Sequence, residues 1–164
     1  MSFIVREVLE SDAEKTAALF NAVVEEGKYT ALTEPFTIER QLEFIRRMLA
    51  EGVYHVAVTS DGEIIGLQVV LPLSELAAFK HVGDIGTFVS PTSHRSGVGR
   101  ALAKATFKKA KEVGFTKCMA FIRRDNPRAQ AFYKSIGFEE IGIAHRQAFV
   151  RGEYIDEVLM ERFI

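Results

Sequence analysis

The chain has 164 residues, 48% of them hydrophobic, with a formal net charge of −1. That suits one ordinary domain which buries a substantial core and needs no metal or disulfide to fold. The charge balance argues against a general nucleic-acid binder, whose phosphate contacts would leave a clear basic excess, and Cys118, the single cysteine, lies in an apolar run that reads as a buried, reduced thiol.

Residues 3–8 read as a first strand. Ser11-Asp12-Ala13-Glu14 then offers a capping box ahead of a helix whose apolar positions are Ala17, Leu19, Phe20 and Val23. Between Gly27 and Thr37 the pattern lapses around Pro35, as segments that line binding sites often do. A second helix follows, with Leu42, Ile45 and Leu49, joined by Phe44 and Met48, at helical spacing. Residues 53–59 and 63–73 are rich in β-branched residues and flank Ser60-Asp61-Gly62, a hairpin signal. Residues 81–89 give a fourth strand, 91–97 a loop, and 98–113 a helix with Val98, Leu102, Ala105 and Val113 toward the core and Gly114 as its C-terminal glycine. A fifth strand at 116–122, a short helix opened by Asn126-Pro127 and ended at Gly137, and two strands at 139–150 and 154–163 complete the order. No repeat or linker divides the chain, so a single mixed α/β domain over residues 1–164 is expected.

The Met-Ser-Phe-Ile start lacks a basic region followed by an apolar stretch. No segment has the roughly eighteen uninterrupted apolar residues of a membrane span, so a cytoplasmic protein that meets no membrane is expected. The densest basic stretch, Lys104, Lys108, Lys109 and Lys111, reads either as the solvated face of a helix or as a phosphate landing site at its rim.

The fourth strand runs into His94-Arg95-Ser96-Gly97-Val98-Gly99-Arg100 and then a helix. Such a helix start leaves backbone N–H groups unpaired, with the positive end of the helix dipole behind them, and an anion belongs there. Gly97 and Gly99 let the backbone approach the anion, and Arg95 and Arg100 add charge-assisted hydrogen bonds. A Walker loop is excluded because Gly99 is followed by Arg100 and Ala101. A dinucleotide fingerprint is excluded because Leu102 stands where a third glycine is needed. The four histidines, 55, 81, 94 and 145, have no metal-ligand spacing, and no cysteine pair exists.

Val89-Ser90-Pro91 with Gly97-Val98-Gly99-Arg100-Ala101-Leu102 resembles the acetyl-coenzyme A motif of the GNAT superfamily of N-acetyltransferases. The segment from Asn126 to Phe138 resembles that superfamily's second signature. The closing stretch from Arg151 to Asp156, with Met160, is similar to the branch that holds the ribosomal-protein and small-molecule acetyltransferases. In one departure, His94 stands where the family has Gln or Arg, with Arg95 one place along. The resemblance implies a twisted mixed sheet of about seven strands flanked by four helices and splayed between the fourth and fifth strands. It implies acetyl-coenzyme A as co-substrate, no metal, an amine as acceptor, and allows a homodimer. It also implies direct attack of a neutral amine on the thioester.

By that resemblance the pantetheine arm pairs with the fourth strand at Phe88 and Val89, and His94, Arg95, Ser96, Gly97, Val98, Gly99 and Arg100 hold the pyrophosphate. Asn126 binds the pantetheine, and Tyr133 sits near the sulfur. An alkyl amine with a pKa of about 10.4 is mostly protonated at neutral pH, so a base is required. Glu34, in the irregular segment, and Asp84, in the fourth strand, are the candidates; His55 and His81 are weaker ones. The backbone N–H of Val89 suits the thioester oxygen, and Tyr133 suits protonation of the leaving sulfur. Glu153, Tyr154 and Asp156 either face the amine or simply make a good hairpin. Three readings stay open: a small-amine or amino-acid acetyltransferase, a protein N-terminal or lysine acetyltransferase, and a coenzyme-binding sensor without turnover.

Overall fold

The computed structural model describes residues 2–28, 30–93 and 96–164. Strand β1 (Phe3–Glu7) leads through a 3₁₀ turn at Glu10–Asp12 into α1 (Ala13–Glu26), and α2 (Ile38–Glu51) follows the irregular segment. Then come β2 (Val53–Thr59), β3 (Ile64–Pro72), β4 (Val82–Val89), α3 (Val98–Glu112), β5 (Lys117–Arg123), α4 (Pro127–Ser135), β6 (Glu139–Val150) and β7 (Glu153–Phe163). The expected order is realised throughout. Among the described residues no helix is long and apolar enough to cross a membrane.

The seven strands form one sheet in the order β1-β2-β3-β4-β5-β7-β6. Every neighbouring pair is antiparallel except β4 and β5. Period-two alternation sends the two sides of the sheet into different cores. Val56, Val58, Leu67 and Val69 pack against Phe20, Ile45 and Met48 of α1 and α2. Val70, Ile85, Cys118, Ala120, Ile122, Val158 and Met160 pack against Ala103, Phe107 and Tyr133 of α3 and α4. Each large apolar side chain so buried contributes about 1.5–3 kcal/mol.

Local details depart from the sequence reading where a tertiary contact outbids a local one. The Ser11 capping box does not form. Asp12 instead accepts from Leu9 N at 2.8 Å and takes both guanidinium nitrogens of Arg6, at 2.7 and 2.9 Å, a stronger charge-assisted partner. Leu49 and Val113 are exposed; Ile45 and Met48 hold the core side of α2 as the spacing predicts, while Ala103, Thr106, Phe107 and Ala110 join Val98 and Leu102 in α3. Gln41, fully buried, donates to Thr16 Oγ1 at 3.1 Å and Tyr54 Oη at 2.9 Å, which ties α2 to α1 and β2.

Candidate active site

The parallel ladder between β4 and β5 is short: Val82, Gly83 and Asp84 pair with Lys117, Cys118 and Met119, and beyond Asp84 no β5 residue is in register. On its other side β4 stays paired with β3 as far as Val89. Leu73 N–H donates to Val82 O and Ser90 N–H to Ile65 O, so even-numbered residues of β4 turn their backbone to β3. The odd ones, Ile85, Thr87 and Val89, turn theirs to the gap, because strand hydrogen bonds alternate sides. This is the splay that the family resemblance implies.

Tyr133 reaches the gap from α4. Its ring is 5% exposed and packs edge-on against Phe138 at 5.1 Å between centroids. Its hydroxyl lies 3.0 Å from Thr87 Oγ1 and 3.4 Å from Ile85 O. Gln68 Nε2 donates to the same Thr87 Oγ1 at 2.8 Å. One assignment of donors satisfies all three contacts: amide to threonine, threonine to tyrosine, tyrosine to the Ile85 carbonyl. Burial raises the phenol's pKa, with the Thr87 hydrogen bond opposing it, so the phenol stays protonated. The core-packing and site readings of Tyr133 therefore describe one side chain, with its ring in the core and its oxygen in the gap.

Asn126 is the N-cap of α4 and 5% exposed. Its Oδ1 accepts from Ala129 N at 3.1 Å, which commits the carbonyl half of the amide to the helix and leaves Nδ2 as its donor. Pro127 at the first helical position suits a site with no intrahelical bond to lose.

At the end of β4, His94 and Arg95 lie outside the described residues. Ser96 Oγ donates to Ser93 O, which closes the turn. Gly97 follows at φ +83°, and its missing Cβ would meet nothing within 4 Å. Glycine is needed there for the left-handed backbone, and the space beside it is open. Gly97, the N-cap of α3, has no side chain to cap it, so among the described residues the N–H groups of Val98, Gly99 and Arg100 form the positive end of the helix. Gly99 has a different task from the one expected. A Cβ there would stand 2.8 Å from the Phe132 ring, so this glycine brings α3 against α4 and leaves phosphate approach to Gly97. The exposed helix start, the open space at Gly97 and the β4 edge that no β5 residue covers beyond Asp84 together fit an extended ligand with a phosphate end.

The basic stretch divides. Lys104, Lys108 and Lys111 line, with Arg100 and Arg162, a cleft of about 660 Å³ between α3, α4 and β7. Lys109 faces the other way and pairs with Glu7 at 3.1 Å. Cys118 is fully buried, and burial pushes its thiol up to about 12, an inert group. His55 is buried beside Thr106 Oγ1 at 3.2 Å, burial lowering its pKa; His81 is exposed.

On the opposite side of the sheet the irregular segment is fastened over the splay. Phe36 stacks on Phe20 at 5.0 Å, and Phe20 meets Phe88 edge-on at 4.7 Å. Arg123, at the end of β5, donates to Gly27 O at 2.9 Å and Thr30 O at 3.3 Å while holding Asp125 through two nitrogens. Arg151, in the turn between β6 and β7, donates to Val24 O and Glu25 O at the end of α1.

The two base candidates fare differently beneath this cover. Glu34 has its side chain 81% exposed and 3.9 Å from Arg40, on the outer side of the segment. Asp84 stands half-buried on the side of the sheet opposite the Val70–Phe115 contact of Gly83, with no hydrogen bond or ion pair among the described residues. Burial, assisted by the charge of Glu157, pushes its carboxyl up to about 6. Glu157 itself was missed by the sequence reading, although a glutamate between Ile155 and Leu159 on one face of a strand is an available signal. The hairpin reading of the last turn holds: Asp156 accepts from Arg146 N and His145 Nδ1 and shapes the β6 bulge, and Tyr154 lies exposed against Phe149 and Arg146.

Fold and site together define an acyl-transfer enzyme with a phosphate-bearing donor. The model of the acetyltransferase (GNAT) family matches residues 17–138, and the chain belongs to that family. Over 161 residues it is 26% identical to a phosphinothricin N-acetyltransferase of Streptomyces coelicolor, covering 96% of this chain and 94% of the relative. A ribosomal-protein-alanine N-acetyltransferase from Brucella melitensis superposes with a TM-score of 0.93 at 22% identity, over 98% of this chain and 99% of that one. A phosphinothricin acetyltransferase from Sinorhizobium meliloti, solved in complex with AcCoA, superposes with a TM-score of 0.90 at 23% identity, over 100% and 89% of the two chains.

Proposed function

We propose that this chain moves the acetyl group of acetyl-coenzyme A to the primary amine of a small molecule or amino acid, as one catalytic domain over residues 1–164. The observation that carries the proposal is the convergence of the Tyr133 hydroxyl, the Thr87 hydroxyl and the backbone edge of β4 on one gap, with the open helix start of α3 beyond it. When bound, acetyl-coenzyme A supplies an acetyl group activated as a thioester. The N–H groups of Val98, Gly99 and Arg100, with the loop from His94 through Ser96 and Gly97, hold its pyrophosphate. The β4 edge at Phe88 and Val89 and the amide of Asn126 hold the pantetheine arm, and the backbone N–H of Val89 steadies the thioester oxygen.

Asp84 accepts the proton of the incoming ammonium. With a pKa of about 6 it is ionised at neutral pH yet more basic than an ordinary carboxylate. Glu34 serves less well, because its side chain lies 81% exposed beside Arg40 on the outer side of the segment, away from the gap. Tyr133, kept neutral by burial, hands its proton to the departing sulfur and recovers one from solvent. The relatives named for phosphinothricin support a small acceptor. The ribosomal-protein-alanine neighbour supports the competing acceptor, a protein N-terminus. A binding module without turnover would have no use for the Tyr133–Thr87 pair. Exposed Ile141, Phe149 and Tyr154 on the β6–β7 edge support a homodimer, and the place of action is the cytoplasm.

Incubation with acetyl-coenzyme A and a panel of amines is expected to release free thiol in proportion to amine. Tight coenzyme binding with no release across a broad panel would overturn the proposal. A single acetylated protein in treated cell extract, with no activity on small amines, would favour the protein acceptor.

A further inference from the structure

Glu157 is 8% exposed and makes no hydrogen bond or ion pair among the described residues. In register it stands opposite Arg123 of β5 and Ala144 of β6. Directly opposed residues share a face, so Glu157 shares the acceptor face of the sheet with Arg123, Met119 and Asp84. Its neighbours Val158 and Met160 point the other way, into the α3–α4 core.

The cations near it are engaged elsewhere. The Arg123 guanidinium is spent on Asp125, Gly27 O and Thr30 O. Lys117, further along β5, pairs with Glu161; Arg124 pairs with Asp156 and Arg151 holds the end of α1. A largely buried carboxylate with no counter-charge is destabilising, and a ligand cation relieves that cost. Burial accordingly holds the Glu157 carboxyl above the usual range.

Asp84 sits on the last rung where β4 and β5 still pair, whereas Glu157 lies one strand beyond β5 and level with Arg123. Four residues of rise along β5 set their backbones at different levels of one face, and the charge of Glu157 is felt at Asp84, so the two carboxylates offer one acceptor two anionic points. On the same face of β5, between the two levels, lies the half-buried ring of Phe121.

We propose that Glu157 is a specificity residue that binds a second cationic group of the acceptor, so that the preferred substrates are dications, an attacking amine and a second positive group joined by a short apolar spacer. This rests on the reading that the chain acetylates amines with Asp84 as base. Glu157 makes an ion pair only and takes no part in proton transfer. The apolar surface of Phe121 and Met119 receives the spacer, and an acceptor with a carboxylate in place of the second cation meets like charge.

Three acceptors of one length test this: butylamine, 1,4-diaminobutane and 4-aminobutyrate, followed by thiol release. Wild-type kcat/KM is expected to favour 1,4-diaminobutane over butylamine by about tenfold or more, with 4-aminobutyrate the poorest. In Glu157→Gln, of nearly equal size and without the charge, the ratio of diamine to monoamine should fall to within about twofold, chiefly through KM. Equal kcat/KM for diamine and monoamine in the wild type, or an unchanged ratio in Glu157→Gln, overturns the assignment and leaves amine transfer standing. Calorimetric titration with 1,4-diaminobutane reads the same contact without turnover. Binding at least tenfold weaker in Glu157→Gln supports the site, and equal affinity overturns it. A silent thiol assay beside a Glu157-dependent titration would instead sink the transfer reading alone.

Discussion

Replacing Asp84 with Asn should stabilise the free protein at alkaline pH and leave it nearly unchanged at acid pH. Asp84 is half-buried and has no cation partner among the described residues, and its carboxyl is pushed from 3.8 to about 6 by burial and by Glu157. An acid whose folded pKa exceeds its unfolded value holds the extra proton in the native state. Its contribution is therefore intact below pH 4, is lost as pH rises toward about 6, and remains lost above. A shift of this size corresponds to about 3 kcal/mol at most, and water at the edge of the cleft reduces it. Urea denaturation of wild type and Asp84→Asn at pH 4.5 and pH 8 measures the difference. The variant should gain about 1–3 kcal/mol relative to wild type between the two conditions. A stability difference independent of pH, or a variant weaker at pH 8 than at pH 4.5 relative to wild type, would refute the argument. The same substitution should lower kcat and remove the acidic limb of the wild-type rate profile near pH 6.

Tyr133→Phe should lower turnover by about ten- to a hundred-fold or more with coenzyme affinity nearly intact; equal turnover would remove the phenol from the mechanism. Thr87→Val should lower kcat more than it raises KM, and Thr87→Ser should recover most of the loss, because the hydroxyl that steadies Tyr133 returns. Gly97→Val should weaken coenzyme binding at φ +83°, whereas Gly99→Val should chiefly lower the melting temperature by driving a side chain into Phe132; calorimetry and thermal denaturation separate the two. Arg123→Ala removes the clasp on Gly27 O and Thr30 O, and is expected to raise KM for the acceptor and speed proteolysis between α1 and α2, with coenzyme affinity unchanged.

Local signals carried most of the architecture. Strand β2 and strand β6 have the bounds that β-branched runs and turn residues predict, and the helix starts at Val98 and Pro127 follow from Gly97 and Asn126-Pro127. The candidate phosphate loop was proposed on the same kind of signal: a strand, a glycine and a helix start are neighbours in the chain, and the first N–H groups of a helix are a local property. The family signatures then supplied Asn126 and Tyr133. Which oxygen Tyr133 meets, and that Gln68 stands behind Thr87, depended on a helix and two strands brought together across 46 and 19 residues of sequence.

Electrostatics on the acceptor side belonged to the tertiary structure alone. Glu34 and Asp84 are equivalent carboxylates in the sequence; burial and the nearby charge of Glu157 at Asp84, against solvent exposure and Arg40 at Glu34, tell them apart. Glu157 lies one residue beyond the turn that the sequence marked, but its meaning comes from Arg123 standing opposite and reaching away to the loop. Periodicity and turn chemistry report which face a residue takes relative to its own neighbours, and this the sequence by itself determined. The partner set across a sheet is chosen by non-local register, and it is register that decided which charges on the acceptor face are left for a substrate to complete.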